Sequence, residues 1–212
     1  MDWFFTGIIL TNFIILGSSR LINCIHNVAL QGAFISLLFL FGESSTSDFH
    51  RYFLTFSSLI IKAIAIPLFL IYSLRQTKIK QEVEPTISLH LSLLAGGIIL
   101  VASFLEAKSF SIPTTPFSSL ILPTALLSVF IGFFLLISRS KAITQVIGFL
   151  VLENGVFLFG MTLVGQFSLI VEMGLFLDLL VCIFIMGIML HQINKTFDHI
   201  DTKSLNSLKD TE

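Results

Sequence analysis

Residues 142–164 read AITQVIGFLVLENGVFLFGMTLV. A helix needs about 20 mostly apolar residues to cross about 30 Å of hydrocarbon, and this stretch supplies them. Its charged side chain is Glu153, about twelve residues in and so near the middle of a membrane-crossing helix. A charged group at the bilayer centre costs about 2.5–3.5 kcal/mol on insertion scales. The segment therefore predicts a transmembrane helix whose carboxyl group faces protein or water rather than acyl chains.

Working outward, the remaining charges cut the chain into further apolar spans. Residues 3–19 lie between Asp2 and Arg20, with Trp3 as an interfacial anchor. Spans follow at 21–42, 52–74, 85–105, 117–138 and 168–192, the fifth carrying Pro123 in its first turns. The whole sequence has 212 residues, 55% hydrophobic and 12% charged. A soluble domain carries about a quarter charged residues, so there are too few here to cover a water-facing surface. The expected fold is an all-α integral membrane protein with seven transmembrane helices. Met1-Asp2-Trp3 has no basic lead of the kind that opens a secretory signal, so the first apolar run reads as a retained helix.

With seven spans, one face receives Arg20, Arg75, Lys78, Lys80, Arg139, Lys141, Lys195, Lys203 and Lys209; the other receives Arg51 and Lys108. Basic loops stay cytoplasmic, which predicts a cytoplasmic carboxyl terminus and an external amino terminus in a multi-pass protein. The net charge of −1 excludes a nucleic-acid partner, which needs a basic patch.

Polar residues suggest an internal repeat. Gln31 lies eleven positions after Arg20, and Glu153 twelve after Lys141. Lys62 lies thirteen before Arg75, and Asp178 thirteen before His191. The predicted organisation is a three-helix unit over 1–75, a connecting helix and loops over 76–116, a second and parallel three-helix unit over 117–194, and a cytoplasmic tail over 195–212.

Four charges fall inside spans: Lys62, Glu153, Glu172 and Asp178. Burial brings a carboxyl group closer to neutral pH, where it can accept and release a proton; Glu153 also suits a protonated interhelical hydrogen bond. Asp178 is near the midplane, whereas Glu172 lies in the outer third of the same span, close enough to the interface to be hydrated. Lys62 has no acid at i±3 or i±4, so its charge must be met from another helix or another subunit, or be lost by deprotonation. Pro67, five residues on, weakens the local helix ladder and can open a polar niche. Asn154 points about 100° from Glu153 and suits a hydrogen bond to a neighbouring helix. His26 and His191, within two turns of the cytoplasmic side, are weaker candidates for passing protons. Cys24 and Cys182 read as small buried hydrophobes. No metal-ligand spacing, catalytic triad or phosphate loop occurs, and no cofactor is expected.

The segments Lys62–Pro67 (KAIAIP), Gly148–Gly155 (GFLVLENG), Leu169–Gly174 (LIVEMG) with Asp178 after it, and the tail from Asp201 to Lys209 resemble hydrogenase-4 component E. The resemblance runs over essentially the whole chain. It implies a non-catalytic membrane subunit of formate hydrogenlyase-type and related energy-converting [NiFe]-hydrogenase complexes in the inner cell membrane. Partners would be antiporter-like large membrane subunits and the hydrogenase membrane anchor, within the lipid bilayer. The carboxyl half is also similar to the three-helix small subunit of respiratory complex I and of multisubunit Na⁺/H⁺ antiporters. That likeness implies a proton path through Glu153 and Asp178, with Glu172 as competitor for the second position and Lys62 acting electrostatically. The amino half departs from it, with Gln31 and Lys62 in place of acids.

Overall fold

The computed structural model describes residues 2–41, 48–76, 87–110 and 119–163, together with Gly174 and Gly187. These residues form helices joined by short turns and contain no strand. The helices are α1 (Asp2–Gly17), α2 (Leu21–Phe41), α3 (Asp48–Leu59), a π-helical turn (Ile60–Ala65), α4 (Ile66–Gln76), α5 (Leu89–Ser109), α6 (Ile121–Ser138) and α7 (Ala142–Leu163). The π turn is flanked by α-helical backbone at Leu59 and Ile66, so α3, the turn and α4 form one continuous rod.

Among the described residues, five segments have the length and apolarity to cross a membrane: Leu21–Leu38, Thr55–Arg75, Leu89–Ser109, Ile121–Ser138 and Ala142–Thr162. The shorter α1 is equally apolar in character. Six helical rods thus stand where the first six predicted spans lie. Apart from Gly174 and Gly187, the seventh span, with Glu172 and Asp178, and the polar tail lie outside the described residues.

Two boundaries differ from those the charges suggest. Charge spacing puts the fourth span at 85–105, but α5 starts four residues later, because the Oγ of Ser88 accepts the Leu91 N–H at 3.4 Å and caps the helix. It then continues through Glu106 and Lys108, both outside the buried interior in its last turn. The fifth helix begins at Ile121 rather than at 117, which leaves Pro123 in its first turn, where its missing N–H has no intrahelical duty.

Helices α6 and α7 form the tightest pair. A Cβ on Gly132 would lie 2.5 Å from the Leu152 backbone nitrogen, and one on Gly155 2.5 Å from that of Val129. Only hydrogen fits at these crossings, as expected where helices associate without a hydrophobic driving force. Helix α2 lies at the centre, touching α1, α3, the π turn, α4 and α7. Helix α5 is peripheral and packs on α1 and α6. Of the Gly96–Gly97 pair, Gly96 faces Leu16 and Phe13 of α1, whereas Gly97 meets nothing.

Among the described residues, two buried apolar clusters fill the interior. One lies toward the end that carries Arg20, Arg139 and Lys141 and includes Leu21, Ile25, Leu70, Leu74, Ile143 and Ile147. The other lies toward the opposite end and includes Phe5, Ile8, Leu38, Ile121, Leu158 and Met161. The polar side chains described next form a layer between them.

Candidate functional site

The π turn is where the rod departs from regular geometry, and it carries Lys62. Within it the Ile66 N–H donates to the Ile61 carbonyl, a five-residue reach instead of four. Pro67 follows at once and has no N–H to continue either pattern. Single π turns inside α-helices occur often at functional positions. On the facing helix Gly32 makes room: a Cβ there would sit 2.9 Å from the Lys62 Cβ and 3.3 Å from its carbonyl oxygen.

The Lys62 ammonium meets the carboxylate of Glu153. Nζ lies 3.1 Å from Oε1, and the two residues are 6% and 4% exposed. Nζ also donates to Asn154 Oδ1 at 3.4 Å and stands 5.6 Å from the centre of the Phe157 ring, whose face attracts cations. Phe157 lies one turn beyond Glu153, on the same side of α7.

Asn154 continues the contact away from the ion pair. Its Nδ2 donates to Gln31 Oε1 at 3.2 Å, Gln31 Nε2 donates to Asn12 Oδ1 at 3.1 Å, and Asn12 Nδ2 donates to Ser128 Oγ at 2.8 Å. Asn12, Gln31 and Ser128 are fully buried. A single chain of polar contacts therefore runs from Glu153 through Lys62, Asn154, Gln31 and Asn12 to Ser128, drawing on α1, α2, the π turn, α6 and α7. Gln31 lies ten residues from the start of α2 and Asn154 twelve from the start of α7, which at 1.5 Å per residue is about 15–18 Å deep.

The Glu153-Asn154-Gly155 sequence now has a geometric reading. Consecutive helical residues point about 100° apart. Glu153 faces the π turn, Asn154 faces α2, and Gly155 lets the α6 backbone approach. Three residues thus meet three neighbours. A small cavity with room for one water adjoins the pair and is lined by Val28, Gly32, Lys62, Ile66, Leu150 and Asn154. Val28, Ile66 and Leu150 lie on the side of the pair toward the Arg20 and Arg139 turns.

This arrangement belongs to a chain with recognisable relatives. It is distantly similar to hydrogenase-4 component E. The match to that protein of Escherichia coli is 26% identical over 157 residues and covers 72% of this chain and 71% of the relative. The Shigella flexneri protein of the same name gives the same figures. A longer match joins the chain to an uncharacterized protein of Mycobacterium tuberculosis, Rv0085, at 25% identity over 213 residues, covering 99% of this chain and 96% of the other. No family model matches, and no solved structure does. Together with the apolar helices, the likeness to hydrogenase-4 component E supports a membrane subunit of that kind.

Of the four intramembrane charges singled out from sequence, the structure brings Lys62 and Glu153 together; Glu172 and Asp178 are outside the described residues. Of the three ways to meet the Lys62 charge, the structure uses another helix of the same chain. His26 is exposed on α2 and takes no part in the polar layer. Asn12 and Ser128 were not legible as site residues, although Asn12 is the lone amide in the apolar run of α1 and so carried a signal.

A third buried charge, Arg139, was also hidden. It follows α6 and is 3% exposed. Its Nη2 donates to the Leu16 carbonyl at 3.0 Å, which places a cation on the negative end of α1. Burial pushes the guanidinium below its ordinary pKa, and the nearby Cys24 acts in the opposite sense.

Proposed function

We propose that this chain is a non-catalytic membrane subunit of a complex I-like, energy-converting hydrogenase assembly of the hydrogenase-4 or formate hydrogenlyase type, and that it contributes to proton translocation coupled to electron transfer. The single observation that carries the proton-handling part is the Lys62–Glu153 pair, buried at mid-depth and joined to a hydrogen-bonded layer across five helical elements. The subunit part is supported by the likeness to hydrogenase-4 component E over 157 residues.

In this reading Glu153 accepts a proton from intramembrane water and passes it on, with Lys62 steering its charge. Asp178 is the next carrier, with Glu172 as the competitor for that position. Electron transfer and hydrogen chemistry belong to partner subunits. The partners are antiporter-like large membrane subunits and the hydrogenase membrane anchor, in the inner membrane, with the amino terminus outside. Two parallel three-helix units joined by α5 would give the chain its shape, with Gln31 and Glu153 as matching polar positions and Lys62 matching Asp178.

A second reading is a structural linker that joins a large antiporter-like subunit to the hydrogenase module. The satisfied amide chain favours it, because interhelical hydrogen bonds of this type hold membrane helices together without moving ions. A related assembly without nickel, or an antiporter, would use the same subunit in the same way.

Glu153→Gln separates the two. Glutamine keeps an acceptor for Lys62 but cannot carry a proton at neutral pH. In inverted membrane vesicles from cells making the chain with its partner subunits, a conductor loses acidification while the assembly stays intact on native gels. A linker keeps both, and that result overturns the proton-handling reading.

A further inference from the structure

One turn after Glu153 on α7 stands Phe157, whose ring meets more than apolar neighbours. It is 5% exposed and packs in the apolar cluster at the end away from Arg139, with Leu158 and Met161. The Lys62 ammonium stands 5.6 Å from the centre of the same ring. On α7, Leu150 lines the small cavity three residues before Glu153, and Phe157 follows four residues after it. The ring therefore bounds the polar layer on the side away from the cavity.

A second observation comes from the seventh predicted span. Gly174 is helical and half-buried, and a Cβ on it would lie 3.0 Å from Cδ2 and 3.2 Å from Cε2 of Phe157. That is closer than side chains ordinarily approach, so a methyl group there would push the ring by a few tenths of an ångström. Gly187, in the same predicted span, has nothing within 4 Å of such a Cβ. Gly174 thus touches the ring that in turn faces Lys62.

We propose that Phe157 is a positioning residue for the Lys62–Glu153 pair, and that Gly174 is the point at which the seventh span bears on its ring. The inference rests on the proton-handling reading of Glu153 and names a further residue of that site. An aromatic face attracts an ammonium through its quadrupole, and more strongly where both are out of water. The ring does not titrate, so this attraction is present whether or not Glu153 carries a proton. It adds to every other contact the ammonium makes. The ring therefore keeps Lys62 in register with Glu153 as the charge on the carboxyl group changes. An aliphatic side chain would fill the apolar cluster but would supply no such face.

The test replaces Phe157 with mono-, di- and trifluorinated phenylalanine in the full assembly. Fluorine drains the negative face step by step and leaves the shape of the ring nearly unchanged. Inverted vesicles should acidify more slowly with each fluorine, by about tenfold for the trifluorinated ring, equivalent to about 1.4 kcal/mol. The amount of assembled complex on native gels should stay constant. In the purified chain, each fluorine should also lower the unfolding midpoint, but not in the Lys62→Met/Glu153→Leu background, which lacks the cation. Gly174→Ala should slow acidification by about threefold through the displaced ring, whereas Gly187→Ala should match the parent. Phe157→Leu/Gly174→Ala should be no slower than Phe157→Leu alone, because both changes act through one ring. A rate independent of fluorination, or a midpoint that falls equally without Lys62, makes the ring mere packing and overturns its positioning role. Gly174→Ala matching Gly187→Ala, or adding fully to Phe157→Leu, overturns the role of Gly174. Should Phe157→Leu fail to assemble, the fluorinated series decides. If Glu153→Gln pumps like the parent, the underlying reading fails instead; if it stops pumping while the fluorinated series keeps the parent rate, only the role of the ring is lost.

Discussion

Replacing Lys62 and Glu153 singly and together should give strongly non-additive changes in stability. At 3.1 Å the two charges attract by about 5 kcal/mol if the effective dielectric is about 20, and both have been taken out of water. Desolvation offsets much of that gain, so the pair as a whole adds little net stability. Removing one partner is different, because it leaves the other charge buried without the counter-charge 3.1 Å away. Lys62→Met and Glu153→Leu should therefore each cost about 3–5 kcal/mol, while the double variant should return to within about 1 kcal/mol of the parent. Thermal unfolding of the purified chain in detergent, followed by a thiol-reactive dye at the buried Cys24, would read this as two large drops in midpoint and a recovery. The reasoning is refuted if the single changes are near neutral, or if the double variant is as damaged as the sum of the singles.

The close crossing of α6 and α7 makes Gly155→Ala costly by about 1–3 kcal/mol, since the new methyl group would lie 2.5 Å from a backbone nitrogen. Gly97→Ala meets nothing and should be neutral or stabilising by up to about 1 kcal/mol, so the two alanine variants run side by side give unfolding midpoints on opposite sides of the parent or nearly so. Arg139→Gln removes the charged donor to the Leu16 carbonyl and should cost about 1.5–3 kcal/mol, with faster amide exchange concentrated in the turn after α1. Asn12→Leu loses contacts that membrane double-mutant cycles value at about 0.6–1.7 kcal/mol, a smaller loss of stability than either ion-pair truncation.

What the sequence discloses about the fold and the site depends on how local each signal is. Membrane spans depend on local composition, so the charges that interrupt apolar runs located six helices to within a few residues. They misplaced the start of α5 because a cap is set by one side chain, Ser88, and not by the distance between Glu84 and Glu106. Lys62 and Glu153 stood out because ionised groups in hydrocarbon are costly wherever they occur. Their pairing did not, since the partners are ninety-one positions apart and no local pattern encodes which helix faces which. Pro67 foretold an irregular turn; that the turn would be π-helical and opposed by Gly32 required the packed bundle. Asn12 and Ser128 are neutral and tolerable in a membrane helix, so nothing in their cost distinguishes a site residue from a bystander. Arg139 read as an interfacial positive charge because its burial depends on α1 closing over the turn.

The central claim is that a buried carboxyl group, Glu153, takes up and gives up a proton as the assembly turns over. Infrared difference spectroscopy on membranes, triggered by addition of the electron donor, observes that event directly. A protonated-carboxyl C=O band should appear and decay with turnover and be missing in Glu153→Gln. A band that survives the substitution unchanged, or no carboxyl band in the parent, contradicts the account.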